Sequence, residues 1–443
     1  MRYTLIGLLL CFTAGINAQI TGGPMIGYVE FMEAALWVEV APTLSDIEVE
    51  LTNDSTGEKT TYSFPVVESA FNYVPVTMRL TELDMNTAYT ATIRVTPANL
   101  DAPEDERTLH FTTKRIWEYR TDPKEFSFLL GSCAYKNDPA HDRPGKPYGQ
   151  GQKIYQTMAA MPTDFMIWGG DNFYYRHHDV TSESGMRYRW HHSRSQDSLQ
   201  ELYASRPHYA TWDDHDYGPN NADRSFLHKD LALQLFKEYW PAVHYGHDGD
   251  PGVYQQFVWE DCAFWMLDDR FHRAHHRLQD STSTLVGNKQ LAWLKESLLF
   301  SRAPFKFVVI GSEVLNPIGQ HEGWHEYPEE LEELLAFIAE KEITNVFFLT
   351  GDRHFTQINE LDKDGIRIVD ITCSPMSSRP YYNVADREAD NPRRKEGTLV
   401  TENNFMKMTV SGKRKERVLT IECFDRDGKL LFDVEYESQR IDR

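Results

Sequence analysis

The stretch "DFMIWGGDNFYYR", residues 164–176, joins a short apolar run to a polar segment through two glycines. The run Phe165–Trp168 is apolar and ends at glycine, which is typical of a buried β-strand. The chain leaves this strand at Gly169 and Gly170 and then presents Asp171. In open α/β sheets, ligands bind at the carboxyl ends of the strands. The stretch therefore predicts an α/β domain with a functional carboxylate at a strand end.

Three other predicted strands also end in residues that can bind metals. "LLGSCAY" carries Cys133, "ATWDDHD" carries Asp213 and Asp214, and "FFLTGDRHF" carries Asp352 and His354. A lone aspartate after a strand is more often a helix N-cap, and a lone cysteine is more often a small buried hydrophobe. Capping alone does not explain four such strand ends. Mixed carboxylate, imidazole and thiolate groups suit a transition metal, with oxygen-rich positions for a second, harder ion.

The region before this domain is predicted to consist of short strands. "ALWVEVAP", 35–42, alternates between apolar and polar positions, and "IEVELTNDSTGEKTTYSF", 47–64, has the pattern of a β-hairpin. About seven such strands predict a β-sandwich. Leu83 followed by Tyr89 resembles the tyrosine corner of fibronectin type III domains, with Met85 where proline is usual.

From residue 125 onward, apolar strands alternate with amphipathic segments. "NKQLAWLKESLLF", 288–300, and "YPEELEELLAFIAEKE", 327–342, have apolar residues at helical spacing. Strand–helix alternation over this length predicts an α/β domain. The tail is predicted to form antiparallel strands with a hairpin turn at residues 425–428.

The composition limits the class of protein. The chain has 443 residues, 41% hydrophobic content and a formal net charge of −21. Nucleic-acid-binding proteins need a basic surface, so we expect no nucleic-acid-binding role. The cysteines are too few for a disulfide scaffold. The sequence leaves open whether Cys262, Cys373 and Cys423 form a bridge, and it leaves the oligomeric state open.

The first residues have the pattern of an export signal. "MRYTLIGLLLCFTAGINAQ", 1–19, combines a cationic start, a short apolar stretch and a small residue at Ala18. This pattern predicts a secretory signal peptide over residues 1–18. The apolar stretch is shorter than the roughly 20 residues that a transmembrane helix needs. We expect an exported protein, periplasmic or extracellular, without a transmembrane segment.

The strand-end motifs resemble those of one known family. "GGDNFYY", "WDDHDYGPNN", "TGDRHF" and "GSCAY" are similar to the signatures of the alkaline phosphatase D (PhoD-like) metallophosphoesterases, and four secondary segments recur in the same order: "LDDRFHR", "LVGNKQLAWL", "EGWHEYPEE" and "TCSPMSS". The resemblance covers residues 125–430. It implies a four-layer αββα sandwich over residues 125–443, an N-terminal fibronectin-III-like β-sandwich over residues 20–117, and hydrolysis of phosphate monoesters or diesters.

The resemblance also implies a set of metal ligands. Asp171 would bridge two metals, and Tyr174, Cys133 and His354 would bind ferric iron. Calcium would be bound by Asp214 and Asp352, with Asp213 or an asparagine of Asn220–Asn221 on a second calcium. Fe(3+) and Ca(2+) are therefore the expected cofactors, with Zn(2+) or Mn(2+) as the less favoured alternatives. In this chemistry a hydroxide on the metals attacks phosphorus while the cations clamp the phosphoryl group.

Four further residues are candidates for contacts to the phosphate. His215 and Asn172 stand next to predicted ligands, and Arg270 and Arg353 are candidates for bidentate hydrogen bonds to phosphate oxygens. The alternative for Arg270 is a structural ion pair with Asp268 or Asp269, and for Arg353 a surface position. The histidine pairs at 177–178 and 191–192 are expected to lie on a loop surface or at the rim of the pocket.

Three other functions fit parts of the pattern. A purple acid phosphatase also pairs a sandwich with a two-metal domain, but it has Gly-Asn-His-Glu where this chain has Trp212–His215, and Gly-His-x-His where this chain has Gly351–His354. A glycosidase would use Asp213 and Asp214 as acid and base, yet neighbouring residues of a strand point to opposite faces. A non-catalytic exported binding protein would be expected to have lost ligands, and none of the expected set is missing.

Overall fold

A computed structural model of the protein describes residues 19–97, 105–145, 147–319 and 322–439. The predicted signal peptide, 1–18, lies outside the described residues. Within the described ranges the chain forms a mixed α/β fold built on four β-sheets. None of the helices in these ranges has the length and apolarity that crossing a bilayer requires.

The strands are named in chain order. The N-terminal strands are β1 (Ile20–Val29), β2 (Glu33–Val40), β3 (Leu44–Asn53), β4 (Lys59–Pro65), β5 (Val74–Thr81), β6 (Ala88–Pro97) and β7 (Asp105–Thr112). The later strands are β8 (Phe126–Gly131), β9 (Phe165–Gly169), β10 (His208–Thr211), β11 (Gln255–Trp259), β12 (Cys262–Met266), β13 (Lys306–Val309), β14 (Val346–Thr350), β15 (Gln357–Lys363), β16 (Ile366–Thr372), β17 (Asn404–Ser411), β18 (Val418–Asp425) and β19 (Leu430–Glu437).

The helices follow the same naming. They are α1 (Lys153–Ala160), α2 (Glu183–Arg194), α3 (Asp197–Ser205), α4 (Asp214–Tyr217), α5 (Lys229–Tyr239), α6 (Asn288–Phe300), α7 (Pro328–Glu340) and α8 (Val384–Glu388), with short 3-10 turns at Asp179–Thr181 and Trp324–Glu326. The two segments predicted as amphipathic helices form α6 and α7, so these predictions are confirmed. Pro328 opens α7 at a position where its missing N–H costs nothing.

The first seven strands form two antiparallel sheets around one core. One sheet has the order β1-β2-β5 and the other β4-β3-β6-β7. Leu36, Ile47 and Ile93 are fully buried in the shared core. The predicted hairpin over residues 47–64 is confirmed as β3 and β4. The hydroxyl of Tyr89 accepts a hydrogen bond from the backbone of Asp84 at 2.9 Å, which is the contact that a tyrosine corner makes.

Two six-stranded sheets follow. One has the order β10-β9-β8-β17-β18-β19, and its first three strands are parallel. The other has the order β11-β12-β13-β14-β16-β15. The predicted hairpin at 425–428 joins β18 and β19, since Gly428 donates to the carbonyl of Asp425. Parallel neighbours place their carboxyl ends at one edge, which is where the predicted ligands begin.

The two six-stranded sheets pack against each other and carry helices on their outer faces. Phe128 and Phe264 meet edge to face across the sheet interface, with ring centroids 5.3 Å apart. Helices α1, α2, α3 and α5 contribute to the core on the outer face of the first sheet, and α6 and α7 contribute to the core on the outer face of the second. The central strands β8, β9, β12, β13 and β14 are buried on both faces, which explains why they are nearly continuous apolar runs, whereas β18 and β19 alternate between more buried and more exposed positions.

Glycines let the strand ends of the two sheets approach closely. A Cβ added at Gly351, after β14, would lie 2.5 Å from the carbonyl oxygen of Gly169, the last residue of β9. Gly170 has φ of +93°, and a Cβ there would lie 2.8 Å from the Cβ of Asp213. Side chains at these positions would separate the two edges. The glycines therefore bring the loops after β9, β10 and β14 together.

The N-terminal sheets pack directly on the helical layer. Trp37 donates from its indole N–H to the carbonyl of Glu238 at 2.9 Å. Glu39 is fully buried; it accepts a hydrogen bond from the Tyr239 hydroxyl at 2.8 Å and pairs with Nδ1 of His191 at 2.5 Å. The Tyr73 ring, between β4 and β5, stacks on the His191 ring of α2 with centroids 3.8 Å apart. A buried carboxylate and stacked aromatic rings thus join the two parts of the chain.

Candidate metal centre

Four of the predicted ligands lie on left-handed backbone. The φ angles are +58° at Cys133, +53° at Asp171, +62° at Asp352 and +55° at His354. Residues other than glycine rarely adopt this conformation, and such residues cluster at active sites. The strained turns after β8, β9 and β14 therefore fix the direction in which these side chains leave the strands.

The first ligand group consists of Cys133, Asp171 and His354. Their donor atoms lie within 4.8 Å of one another, and all three residues are buried. The Cys133 thiol lies 3.6 Å from Oδ2 of Asp171. The hydroxyl of Tyr174 lies 3.0 Å from Nε2 of His354, so a phenol joins this group. Thiolate, carboxylate, imidazole and phenolate together form a donor set that fits a transition metal.

The hydrogen bonds of His354 select its tautomer. Nδ1 of the ring donates to the carbonyl of Arg379 at 2.7 Å. The lone pair is therefore on Nε2, the atom that faces Tyr174. Burial lowers the pKa of His354 to about 4, so the imidazole is neutral near pH 7. A carbonyl that fixes the tautomer of a histidine is the usual support of a metal ligand.

The Cys133 sulfur is surrounded by hydroxyl groups. The Ser374 hydroxyl donates to it at 3.0 Å and the Ser132 hydroxyl at 3.5 Å. These hydrogen bonds favour the thiolate, but burial is the larger effect and raises the pKa of Cys133 to about 12. A bound cation would provide the charge that keeps this sulfur deprotonated.

The second ligand group consists of Asp171, Asp214 and His215. Their donor atoms also lie within 4.8 Å of one another, and Asp171 belongs to both groups. The backbone N–H of His215 donates to Oδ1 of Asp171 at 3.3 Å, and that of Asn221 donates to Oδ2 of Asp214 at 2.6 Å. The structure therefore puts Asp171 between two sets of donors, the position that a bridging carboxylate needs.

Buried oxygens in and next to this group have no hydrogen-bond partner among the described residues. They include Oδ1 of Asp214 and Oδ1 of Asn172. Leaving buried acceptors unsatisfied costs free energy unless a cation or water binds them. Burial, followed by the charges of Cys133, Asp214 and Asp213, raises the pKa of Asp171 well above its ordinary value. The carboxyl groups fit a site that cations neutralise.

Asp352 lies at the same centre but outside these two groups. Its carboxylate is 3.3 Å from Nη1 of Arg353. Burial raises its pKa to about 7, and that of Asp214 to about 6. Arg353 is only 6% exposed and also lies 3.3 Å from Glu313, so it is not a surface residue.

Arg270 is already engaged by carboxylates. It is fully buried, its Nε donates to Oδ1 of Asp213 at 2.6 Å and its Nη1 donates to Oε1 of Glu322 at 2.9 Å. A carboxylate oxygen of Asp269 lies 3.8 Å from Nε of Arg270, whereas Asp268 contacts the backbone N–H of Arg270 and not its guanidinium. Arg270 is thus an ion-pair partner, mainly of residues other than the two that the sequence suggested.

Asp213 has a structural partner on each side. Besides pairing with Arg270, it forms a capping box with Asp216 at the start of α4. Asp216 also accepts the backbone N–H of Asn172 at 2.8 Å, which holds the turn after Asp171. One oxygen of Asp213, Oδ2, is buried without a hydrogen-bond partner among the described residues. Its predicted metal role stays a prediction.

Other parts of the site were not found by sequence reasoning. Ser374, Tyr148 and the carbonyl of Arg379 contact the predicted ligands. The segment "TCSPMSS" was a signal for Ser374, but no local pattern pointed to the other two. His191 lies in α2 and packs against Glu39, so its expected place on a loop surface is wrong. The cysteines at 133, 262, 373 and 423 are all free and buried.

Comparison with solved structures shows which known proteins share this fold. A structure described as that of PhoD superposes with a TM-score of 0.73 at 17% sequence identity, covering 96% of this chain and 94% of that chain. A purple acid phosphatase from seeds of yellow lupin (Lupinus luteus) superposes with a TM-score of 0.63 at 10% identity, covering 94% of this chain and 74% of that chain. The chain therefore has the general fold of these phosphatases.

Sequence comparison narrows the class. The sequence model of the PhoD-like phosphatase family matches residues 144–422, more than half of the chain. Alkaline phosphatase D of Bacillus subtilis (strain 168) is 26% identical over an alignment of 290 residues, and the match covers 53% of this chain and 49% of that relative. The match thus spans about half the length of this relative. The chain belongs to the PhoD-like phosphatase family, and the resemblance inferred from the strand-end motifs is confirmed.

Proposed function

We propose that this protein is an exported, metal-dependent hydrolase of phosphoric monoesters or diesters, an alkaline phosphatase or phosphodiesterase. The observation that carries the proposal is that Asp171 belongs to both ligand groups. A carboxylate shared in this way suits two cations a few Å apart, and such pairs catalyse phosphoryl transfer to water. Membership of the PhoD-like family supports the same reaction class.

The proposal assigns a role to each part of the chain. Residues 125–443 form the catalytic domain, a four-layer αββα sandwich, and residues 20–117 form a fibronectin-III-like sandwich before it. Residues 1–18 direct export. The two packed six-stranded sheets with outer helices support the first assignment, and the seven-stranded N-terminal core supports the second.

The donor types suggest which cations bind. Cys133, Tyr174 and His354 offer sulfur, phenol and imidazole donors beside Asp171, a set that suits Fe(3+). Asp214 and Asp352 offer oxygen donors that suit Ca(2+). When bound, these cations would supply Lewis-acid activation of water and of the phosphoryl oxygens.

The protein's own groups position the reactants. The His215 ring packs on Tyr174 with centroids 4.1 Å apart, and burial lowers the pKa of His215 to about 3, so it is a neutral hydrogen-bonding group near pH 7. Arg353 places positive charge beside Asp352, where charge on the phosphoryl oxygens is stabilised. The Nδ2 group of Asn172 donates to the Thr211 carbonyl at 2.8 Å, which fixes its free Oδ1.

Metal analysis combined with an activity assay tests the proposal. We would purify the exported protein, measure bound metals by mass spectrometry, and follow hydrolysis of p-nitrophenyl phosphate and bis(p-nitrophenyl) phosphate. Iron with calcium, and hydrolysis that chelation abolishes and added metal restores, are the expected results. Asp171→Asn should lose metal and activity together. A protein that binds no metal and hydrolyses neither ester, even after reconstitution, would contradict the proposal and favour a non-catalytic binding protein.

A further inference from the structure

A cleft lies beside the candidate metal centre, and the proposed mechanism does not use it. Its volume is about 440 Å³, within the range of small-ligand pockets. Its lining includes Tyr148, Arg379, Tyr381, Tyr382 and Arg387. Three tyrosines and two arginines in one cleft indicate a ligand that is both planar and anionic.

The cleft adjoins the ligand His354 directly. The Tyr148 hydroxyl lies 3.3 Å from Nδ1 of His354. The Tyr381 ring stacks on the His354 ring, with centroids 4.8 Å apart and planes at 25°. A group held in the cleft is therefore next to the place where a phosphoryl group would meet the cations.

Two aromatic rings at this cleft face solvent. Tyr381 is 52% exposed and Tyr382 is 57% exposed. Two neighbouring exposed phenol rings offer a surface on which a planar ring can stack. Tyr381 already packs on His354 with one face, so Tyr382 is the more independent stacking surface.

Arg387 provides a positive group without a full set of partners. The Arg387 side chain is 30% exposed, its Nε donates to Glu388 at 3.3 Å, and its Nη2 has no hydrogen-bond partner among the described residues. The exposed part of this guanidinium is suited to an anionic oxygen. The net charge of the chain is −21, whereas the lining of this cleft includes two arginines, so the cleft is more positively charged than the protein as a whole.

We propose that this cleft binds the part of the substrate beyond the scissile phosphorus and selects phosphoric esters of nucleotides that carry a second phosphate. The base stacks on Tyr382, and the second phosphate pairs with Arg387. This inference rests on the proposed hydrolase function. In the reaction, the oxygen of water bonds to phosphorus, the P–O bond to the sugar breaks, and the released sugar oxygen takes a proton.

Four esters separate the contributions of base and second phosphate. Adenosine 3′,5′-bisphosphate has both, adenosine 3′-monophosphate has only the base, fructose 1,6-bisphosphate has only the second phosphate, and glycerol 2-phosphate has neither. We expect kcat/KM to be highest for the first, about tenfold above each ester that lacks one group and about a hundredfold above glycerol 2-phosphate, because a stacked base and a charge-assisted arginine–phosphate pair each contribute a factor of this order.

Substitutions at Tyr382 and Arg387 test whether these two residues cause the preferences. Tyr382→Ala should remove most of the preference for base-containing esters, and Arg387→Gln most of the preference for a second phosphate. The matched controls are Tyr119→Ala, at a fully exposed tyrosine, and Arg302→Gln, at an exposed arginine. Both controls should keep the wild-type ratios. Equal kcat/KM for all four esters, or variants that lower all four alike, would overturn the inference.

A binding measurement separates failure of the cleft from failure of the hydrolase proposal. Calorimetric titration of the wild-type protein with a phosphonate analogue of adenosine 5′-monophosphate, whose P–C bond the proposed hydrolase does not cleave, should show binding that Tyr382→Ala weakens about tenfold. If no ester is hydrolysed but this binding is found, the hydrolase proposal fails and the cleft assignment stands. If esters are hydrolysed but the analogue does not bind, the cleft assignment alone is wrong.

Discussion

The hydroxyl oxygen of Tyr174 lies 3.0 Å from Nε2 of His354. Because Nδ1 of that ring donates to the Arg379 carbonyl, the Nε2 lone pair faces the phenol. The Cys133 sulfur lies within 4.8 Å of a ring nitrogen of the same histidine. The three side chains therefore present their donor atoms to one small volume, and each should affect metal binding in its own way.

Tyr174→Phe tests the phenol. We expect the protein to lose a broad visible absorption band, because a phenolate bound to ferric iron is the source of that charge transfer. The measurement is the absorption spectrum with metal analysis on the same sample. Tyr135→Phe is the matched control, since its ring lies 5.1 Å from that of Tyr174 but its hydroxyl binds Asp142. An unchanged band in iron-loaded Tyr174→Phe would show that this phenol is not a ligand.

Ser374→Ala tests whether the Ser374 hydroxyl stabilises the Cys133 thiolate as a metal ligand. Removing a hydroxyl that donates to the Cys133 sulfur at 3.0 Å should weaken metal binding about tenfold or more, as for other groups that support metal ligands. Cys133→Ser should weaken it further. Competition with a chelator gives the affinities. Cys262→Ser, at a buried free cysteine, should bind metal like the wild type. Equal affinities in all four proteins would remove Cys133 from the ligand set.

Arg270→Gln distinguishes a structural ion-pair role of Arg270 from a direct contact between Arg270 and the phosphate. The substitution leaves the buried carboxylates of Asp213 and Glu322 without their partner, which should lower the free energy of unfolding by about 3–5 kcal/mol. Denaturant unfolding measures this change, and Arg302→Gln, at an exposed position, should stay within about 0.5 kcal/mol of the wild type. Unchanged stability with a raised KM would instead favour a direct contact to phosphate.

His208 should make the protein sensitive to acid. Its Nδ1 accepts from the Trp168 indole at 3.0 Å, its Nε2 donates to the Leu202 carbonyl at 2.9 Å, and burial lowers its pKa to about 3. The unfolded chain binds a proton below about pH 6.5 that the folded chain does not bind, so stability falls as the pH falls from about 6.5 towards 3.

The variant His208→Gln has no imidazole at this position, so its unfolded chain does not bind the extra proton. Between pH 4 and 6, the slope of the unfolding free energy should then decrease by about 1.4 kcal/mol per pH unit relative to the wild type. Denaturant titrations at several pH values measure the slope. His110→Gln, at an exposed histidine on β7, serves as the control. Parallel slopes for His208→Gln and the wild type would mean that the folded protein protonates this ring.

Local sequence patterns predicted many of the strands and helices, because the spacing of apolar residues reflects which face of each element is buried. The apolar run Phe165–Trp168 is a fully buried strand, and the segment 288–300 is a helix with the same bounds as its amphipathic pattern. β1 lacked such a signal, because Gly22 and Gly27 interrupt its alternation. Its pairing with β2 depends on the neighbouring strand and not on its own residues.

The candidate site was predictable where ligands follow strands and was not predictable where contacts join distant segments. Asp171 and Asp352 directly follow glycines at strand ends, so the motif gives their position directly. The pair of Arg270 and Glu322 joins residues 52 positions apart, and no local pattern specifies it. Tyr148 and Tyr381 come from loops on both sides of His354, and only the folded chain brings them together.

The junction at Glu39 has a consequence for how such a chain evolves and for how it can be engineered. Glu39 belongs to β2, yet its hydrogen-bond partners Tyr239 and His191 belong to α5 and α2. If the N-terminal sandwich were replaced by one from another protein, the Tyr239 hydroxyl and the His191 imidazole would face a surface without Glu39. If the sandwich were deleted, these two groups would be exposed to water. Exchange of the sandwich therefore requires matching changes in two helices.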